Sequence, residues 1–204
     1  MLKLKKKGRL IVISSPSGAG KTTIVKKLVN KNLLTSLSVS LTTRNARPNE
    51  VDGVDYKFVS KNLFKKKIKK NLFLEHAKVF DNFYGTIKSD ISKNLDKGKN
   101  VLLDIDWQGA RQVKKKLPID TITIFILPPS LKELEKRLKK RGENNSFVKK
   151  RMSGAKAEIK HWKEYDYVLI NDNLQSCIAK IKNILMTENF KVNRQILANK
   201  DNLL

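Results

Sequence analysis

Acidic side chains are scarce in this sequence: 19 Asp and Glu stand against 44 Lys and Arg, a formal charge of +25 over 204 residues. Such an imbalance draws polyanions, whether nucleic acid, acidic membrane or phosphorylated small molecules, without choosing among them. Much of it lies in lysine runs, KLKKKGR at 3–9, FKKKIKK at 64–70 and VKKKL at 113–117. Few aromatic residues interleave with these runs to stack on bases. They therefore read as solvated lysine faces, and any nucleic-acid binding is expected to be nonspecific. Cysteine is nearly missing as well. Cys177 stands alone, which excludes an internal disulfide and fits a reducing compartment. No apolar stretch nears the ~18 residues that a membrane span needs, and the basic start leads only into LIVI, too short for a signal-peptide core. A cytoplasmic protein is expected, and no internal repeat is visible.

What is present is an alternation. LIVI at 10–13, NVLLDI at 100–105, TITIFIL at 121–127 and YVLI at 167–170 are apolar runs of strand length. Each leads into helical spacing: Ile24, Val25, Leu28 and Val29; Ala110, Val113 and Leu117; Leu131, Leu134 and Leu138; Leu174, Ile178, Ile181 and Leu185. Ser130 and Glu133 form an S-x-x-E capping box at the start of the third helix. Strands alternating with helices predict an α/β fold, a parallel central sheet flanked by helices. Residues 35 to about 90 break the rhythm with Ser, Thr, Val and turn residues, and NLFLEHAKVFDNFYGTI reads as two strands joined at Asp81-Asn82. That is an inserted, strand-containing subdomain. The expected organisation is a core of 1–34 and 98–204, an insert of 35–97, and a helical lid at about 137–155 around the polar break RGENNSFVKK.

The first strand runs into SSPSGAGKTT at 14–23. Gly18, Gly20, Lys21 and Thr22 supply the second half of a phosphate-loop pattern. Glycines let backbone N–H groups converge on phosphates, the lysine neutralises them, and the threonine hydroxyl can ligate Mg²⁺. Ser15 replaces the first glycine; it lies at a strand exit before Pro16, which favours extended backbone and tolerates a side chain. Asp104 ends the second strand, where a carboxylate lies beside the loop and can hold Mg²⁺ through water. Asp106 follows on the same side. Both can instead be read as helix-capping aspartates ahead of WQGA. Arg44 and Arg47, three residues apart on a turn, suit forked contact with a phosphate dianion.

Six segments in order, PSGAGKTT, SVSLTTRNARPNEVDGVDY, FLEHAKVFDNFYGT, LDIDWQGA, FILPPS and EYDYVLIND, resemble the guanylate kinase family from about residue 9 to about 190. The resemblance implies a P-loop kinase fold and transfer of the γ-phosphate of ATP to GMP, or dGMP, with Mg²⁺. It implies that residues 35–97 bind GMP. It places ATP against Ser17, Gly18, Ala19, Gly20, Lys21, Thr22 and Thr23, with Arg137, Arg141 and Asn171; a helix cap is the other reading of Asn171. It places GMP against Ser40, Arg44, Arg47, Tyr56, Glu75, Tyr84, Thr86, Asp104 and Asp106. Phe83 stands where many members have tyrosine. Lys21, Arg47, Arg137 and Arg151 become the cations that meet charge on the moving phosphoryl group.

The guanine assignment also makes chemical sense. Guanine presents two donors, N1–H and the 2-amino group, beside the acceptor O6; Glu75 matches the donor pair, and the hydroxyls of Ser40 and Thr86 match O6. Adenine would leave the carboxylate facing an acceptor. The phosphate acceptor is largely deprotonated near pH 7 and needs no general base, so His76 and His161 are read as structural. Two other classes fit less well: a scaffold that has lost its chemistry, which the intact Gly20-Lys21-Thr22, Arg44, Arg47, Glu75 and Arg137 oppose, and a kinase for another monophosphate. Monomer and small homo-oligomer are both open.

Overall fold

A computed structural model describes residues 8–29, 35–79, 81–140 and 145–192. The chain opens with β1 (Leu10–Ser14), α1 (Lys21–Leu28), β2 (Thr35–Leu37), β3 (Leu41–Thr42) and β4 (Lys57–Phe58). It continues through α2 (Lys61–Lys69), β5 (Phe73–Val79), β6 (Asn82–Ile87), α3 (Lys88–Asp96), β7 (Asn100–Asp104) and α4 (Trp107–Lys116). It ends with β8 (Thr121–Leu127), α5 (Leu131–Lys139), α6 (Asn145–Ile159), β9 (Tyr167–Ile170) and α7 (Leu174–Thr187).

Five strands pair in parallel in the order β2-β7-β1-β8-β9. The burial of β1 on both faces explains its unbroken apolar run. Ile11 and Ile13 point into one layer with Ile24, Val25 and Leu28 of α1 and Cys177, Ile178 and Ile181 of α7. Leu10 and Val12 point into the other, with Ile91 and Leu95 of α3 and Ala110 and Val113 of α4. Alternate residues of one strand thus nucleate two cores. β9 closes the far edge, and its Val168 and Ile170 remain exposed. Because β1 lies between β7 and β8, the connections leaving β1 and β7 diverge and open a crevice at the strand ends. Ile13 is in register with Asp104, so the carboxylate stands beside the exit of β1.

The second sheet has the order β4-β3-β6-β5, with β5 and β6 antiparallel. Its own small core is Leu41, Phe64 and Phe73, with Val59, Ile68, Phe83 and Ile87 around them. Phe64 stacks on Phe73 and Phe83 at centroid distances of 4.5 and 5.5 Å. Phe83 is thus half-buried against this core, its ring used in the stack.

The edges of the insert differ from the span 35–97. β2 is an edge strand of the central sheet, and α3 packs Ile91 and Leu95 into the core beneath it. Both carry apolar residues that only the central sheet can cover, so the second sheet and α2 occupy a narrower stretch. The lid pair is tied by Leu134 and Leu138 of α5 against Val148 and Ala155 of α6. Ser130 caps α5 by accepting from the Glu133 N–H at 3.1 Å. The Glu133 carboxylate turns to Arg137 at 3.1 Å, so the expected capping box is used in one direction.

Replacing Phe64 by Ala empties the centre of the small core. It is expected to cost about 3–5 kcal/mol of stability, read as a lowered denaturation midpoint; an unchanged midpoint would mean that this aromatic stack does not hold the insert.

Candidate active site

The loop after β1 wraps the N-terminus of α1. Gly18 and Gly20 adopt φ values of 96° and 98°, which L side chains rarely adopt. A Cβ on Gly18 would also meet Leu134 at 2.9 Å, and one on Gly20 would meet Asn171 Nδ2 at 2.5 Å. Ser15 behaves as expected: among the described residues outside glycine only Asn71 has positive φ, so a serine at the strand exit carries no strain. No side chain caps α1, whose first turn begins at Lys21, and its leading N–H groups face the crevice as an anion site.

Lys21 Nζ lies 2.5 Å from Asp104 Oδ1. Burial pulls the ammonium pKa down, but the adjacent carboxylate outweighs it and the pKa sits above its ordinary value. Asp104 thus serves the lysine and does not cap α4. Asp106 does cap it, accepting from Gly109 N at 3.0 Å and Gln108 Nε2 at 3.0 Å. Asn171 donates to Ala19 O at 2.7 Å and pins the loop from behind. The cap of α7 belongs to Asn173 instead, which accepts from Ser176 N at 3.0 Å.

A cavity of about 290 Å³ extends from this loop to the second sheet. Ser17, Gly18, Gly20, Lys21, Thr22, Ser40, Arg47, Tyr56, Glu75, Tyr84, Asp104, Asp106 and Arg151 all line it. Glu75 is 2% exposed. Its place is set by α4: Gln112 accepts from His76 N at 3.2 Å and donates to His76 O at 2.8 Å, clamping the backbone of β5 next to it. Gly109, one turn earlier, leaves room for the carboxylate; a Cβ there would come within 2.6 Å of Glu75 Oε2. Thr86 is fully buried behind this carboxylate, does not line the cavity, and donates its single hydroxyl proton to Glu75 Oε1 at 2.6 Å. Ser40 Oγ is 3.4 Å from Thr86 Oγ1. Burial pushes the Glu75 carboxyl up to about 7, against the lowering effect of Thr86.

A second cavity of about 380 Å³ adjoins the first between α6 and the insert, lined by Arg44, Arg47, Tyr84, Lys150 and Arg151 among others. Arg44 lines this cavity and not the first one. Its fork is engaged by Glu50 at 2.6 and 2.7 Å, and its face lies over Tyr56 at 4.9 Å. Arg151 reaches across from the lid to donate to Ser17 Oγ at 2.9 Å. Arg137 lines neither cavity; it pairs with Glu133 and donates to Asn171 O at 3.4 Å. Thr23 is exposed on α1 and Ala19 is buried beneath the loop. Arg141 lies outside the described residues. His161 stacks on Trp107 at 3.8 Å, and His76 packs edge-on against Phe73 at 5.8 Å.

Three residues escaped the sequence reading. Glu50 lies in the same turn as Arg44 and Arg47, three positions after the second, and that spacing was its only signal. Gly109 sits inside WQGA, where a small residue in a helix marks a close approach. Glu158 of α6 lines both cavities, with one carboxylate oxygen buried and without a hydrogen-bond partner. Burial raises its pKa, while Lys21 and the Ser17 backbone oppose the rise. Nothing in the helical pattern of residues 145–159 distinguishes it.

A family model described as guanylate kinase matches residues 7–188. A guanylate kinase of Zymomonas mobilis is 52% identical over 195 residues, 95% of this chain and 90% of that protein. One of Hydrogenovibrio crunogenus is 50% identical over 192 residues, 94% and 91% of the two chains. The crystal structure of guanylate kinase from Anaplasma phagocytophilum shares the fold with a TM-score of 0.80, at 39% identity over 94% of this chain and 92% of that one.

Glu75 also gives stability a pH dependence. Its carboxyl titrates near 7 when folded against 4.5 as the ordinary value, so the folded state holds the proton more tightly between these limits. The stabilisation is complete below about pH 4.5 and is lost as pH rises through about 7, a change on the order of 3 kcal/mol. Glu75→Gln should remove this part of the slope. Denaturant titrations of both proteins at pH 5 and pH 8 measure it, and parallel slopes would refute the assignment.

Proposed function

The chain belongs to the guanylate kinase family, and from that membership we propose how its own residues divide the transfer of a phosphoryl group from ATP to GMP. The triphosphate lies on the loop Ser17–Thr23, whose N–H groups and Lys21 meet the phosphates. Mg²⁺ suits the oxygen donors there: Thr22 is exposed in the first turn of α1, and Asp104, at the end of β7, lies 2.5 Å from the neighbouring Lys21. The Thr22 hydroxyl and, through water, Asp104 would hold the ion, which would supply positive charge against the phosphates. Asn171 acts from behind the loop, with Arg137 beside it and Arg141 following.

Glu75 carries the acceptor reading. A buried carboxylate lining a cavity, with a neutral threonine as hydrogen-bond donor and no ion-paired cation among the described residues, fits the N1–H and 2-amino donors of guanine. Because the Thr86 proton is committed to Glu75, Thr86 acts mainly by orienting that carboxylate. Ser40 retains a proton that it can turn to O6. Asp106, already capping α4, has lone pairs left for the 2-amino group. The acceptor phosphate lies between Arg44, Arg47, Tyr56 and Tyr84. Arg47 and Arg151 line both cavities and so flank the path of the transferring group, with Lys21 at the loop. Closure of α5 and α6 over the loop excludes water and aligns donor and acceptor for in-line displacement.

No helix among the described residues is long and apolar enough to cross a membrane. A cytoplasmic role in purine nucleotide recycling accords with that and with the buried, unpaired Cys177. The lysines of α2 offer polyanions only a weak, salt-sensitive face.

An ADP-release assay with GMP, dGMP, AMP, CMP and UMP tests the reading. GMP should exceed AMP in kcat/KM by ~10⁴; equal activity with AMP would overturn the guanine assignment. Ser40→Ala should raise the KM for GMP about tenfold, the loss of one hydrogen bond to an otherwise unsatisfied O6, with the KM for ATP unchanged. The KM for GMP should also fall as pH rises through about 7, since guanine requires the ionised form of Glu75.

A further inference from the structure

Arg44, Arg47 and Glu50 lie in the connection between β3 and β4, outside any helix or strand. Long side chains in such a segment would ordinarily sample many rotamers. Here one carboxylate restrains two residues. Glu50 Oε2 accepts from Arg44 Nη1 at 2.6 Å, Oε1 accepts from Arg44 Nη2 at 2.7 Å, and Oε2 also accepts from the Arg47 backbone N–H at 2.9 Å. The Glu50 N–H returns a bond to Arg47 O at 3.0 Å, closing the turn.

We propose that Glu50 is a positioning residue for the acceptor phosphate, holding the end of the Arg44 guanidinium and the backbone of Arg47 so that each presents a fixed donor to the dianion. The inference rests on the guanylate kinase reading of these arginines.

The hydrogen inventory of Arg44 supports it. A guanidinium has five N–H donors in a rigid plane. Glu50 takes one from each Nη, and Asn45 O takes another from Nη1 at 2.9 Å. The donors left are Nε–H and the outer Nη2–H, which together form the side edge of the fork, suited to two phosphate oxygens at once. The rings of Tyr56 and Phe58 lie 4.9 and 5.6 Å from the guanidinium carbon and hold the plane. Glu50 stays ionised throughout the working range, because the Arg44 hydrogen bonds hold its carboxyl down to about 2.

The arrangement also separates charge from direction. Arg44 and Glu50 together are neutral, so Arg44 adds little net attraction at a distance. Arg47, whose guanidinium lies farther from Glu50, at 4.0 Å, and whose side chain is 65% exposed, supplies more of the charge that draws the phosphate in. Two opposed expectations follow for removal of the Glu50 charge. Were attraction the main effect, losing a negative group beside the dianion would tighten binding. With orientation as the main effect, binding weakens, because Arg44 becomes a free long side chain and the turn at Arg47 loses its acceptor. The bidentate geometry favours the second.

The test uses the full chain with E50Q and E50D. Glutamine keeps the shape and removes the charge; aspartate keeps the charge and withdraws the carboxylate from the fork. Both should raise the KM for GMP about tenfold or more, the scale of a lost charge-assisted hydrogen bond. The KM for ATP and kcat at saturating GMP should stay within about twofold, and thermal midpoints should confirm folding. In an Arg44→Ala background the E50Q effect should shrink to the part carried by Arg47. A KM for GMP that is unchanged or lowered in E50Q, a KM for ATP that rises in step, or an undiminished effect without Arg44 would each overturn the proposal. So would an E50D protein indistinguishable from wild type. If Arg47→Ala raises the KM for GMP while E50Q does not, only this inference fails. A wild-type chain inactive on GMP would instead remove the reading beneath it.

Discussion

The docking of helix α4 against strand β5 is the constraint on which the rest of the structure depends. One face of α4 carries Ala110 and Val113 into the central core. The adjoining face carries Gly109, Gln112 and Lys116 toward the insert, where Gln112 and Lys116 bond the backbone of His76 and Leu74. A single helix is thus shared by two units, and the residue between those two backbone contacts is Glu75. Its carboxylate cannot retreat, because the β-strand on either side of it is held. It meets α4 only where glycine removes a side chain. At its N-terminus the same helix is capped by Asp106, which follows β7 and the Lys21–Asp104 pair. Glu75 and the phosphate loop are therefore registered to each other through the 10 residues of one helix.

That registration also sets the electrostatics. Glu75 lines a cavity with a threonine as its hydrogen-bond donor and no ion-paired cation among the described residues, so burial makes it resist ionisation. Asp104, by contrast, meets Lys21 directly. One carboxylate is given a hydroxyl as its partner and the other an ammonium. A group kept partly protonated by burial gains the most from a ligand that brings N–H donors, so under the proposed function the unfavourable burial of Glu75 becomes selectivity for a base that supplies them.

Much of the fold was legible in the sequence because the forces that build it act at short range. LIVI, NVLLDI and TITIFIL are strands buried on both faces, and the helices after them show their stripes. The phosphate loop was legible because its glycines serve backbone conformation, which the structure confirms at Gly18 and Gly20. The reading of Ser15 survived for the same reason. What was not legible depends on contacts across the chain. β2 reads as part of the insert until β7 is seen beside it, and α3 reads likewise until the core beneath it is seen. Asn171 and Asn173 are equivalent as cap candidates in sequence; only the approach of Ala19 distinguishes them. Arg44, Arg47 and Glu50 are three residues apart in one segment, yet an acid beside two bases in a polar turn has no signature until its oxygens are seen on their hydrogens.

The distribution of charge gives the last step. A chain of net charge +25 invites the view that its positive excess exists to hold phosphates. The cavity between the loop and the insert does not share that excess. Its cations, Lys21, Arg47 and Arg151, face four carboxylates, Glu75, Asp104, Asp106 and Glu158. Arg44, in the adjoining cavity, is neutralised by Glu50. A strongly positive pocket would bind any phosphate and would hold products as firmly as substrates, since Coulomb attraction is indifferent to geometry. Pairing Lys21 with Asp104, and Arg44 and Arg47 with Glu50, removes the indiscriminate part and leaves the directional part: hydrogens on fixed edges and N–H groups at a helix start. Acidic residues, scarce in the chain, thus match the cations at this cavity, while lysines lie on solvated faces such as that of α2.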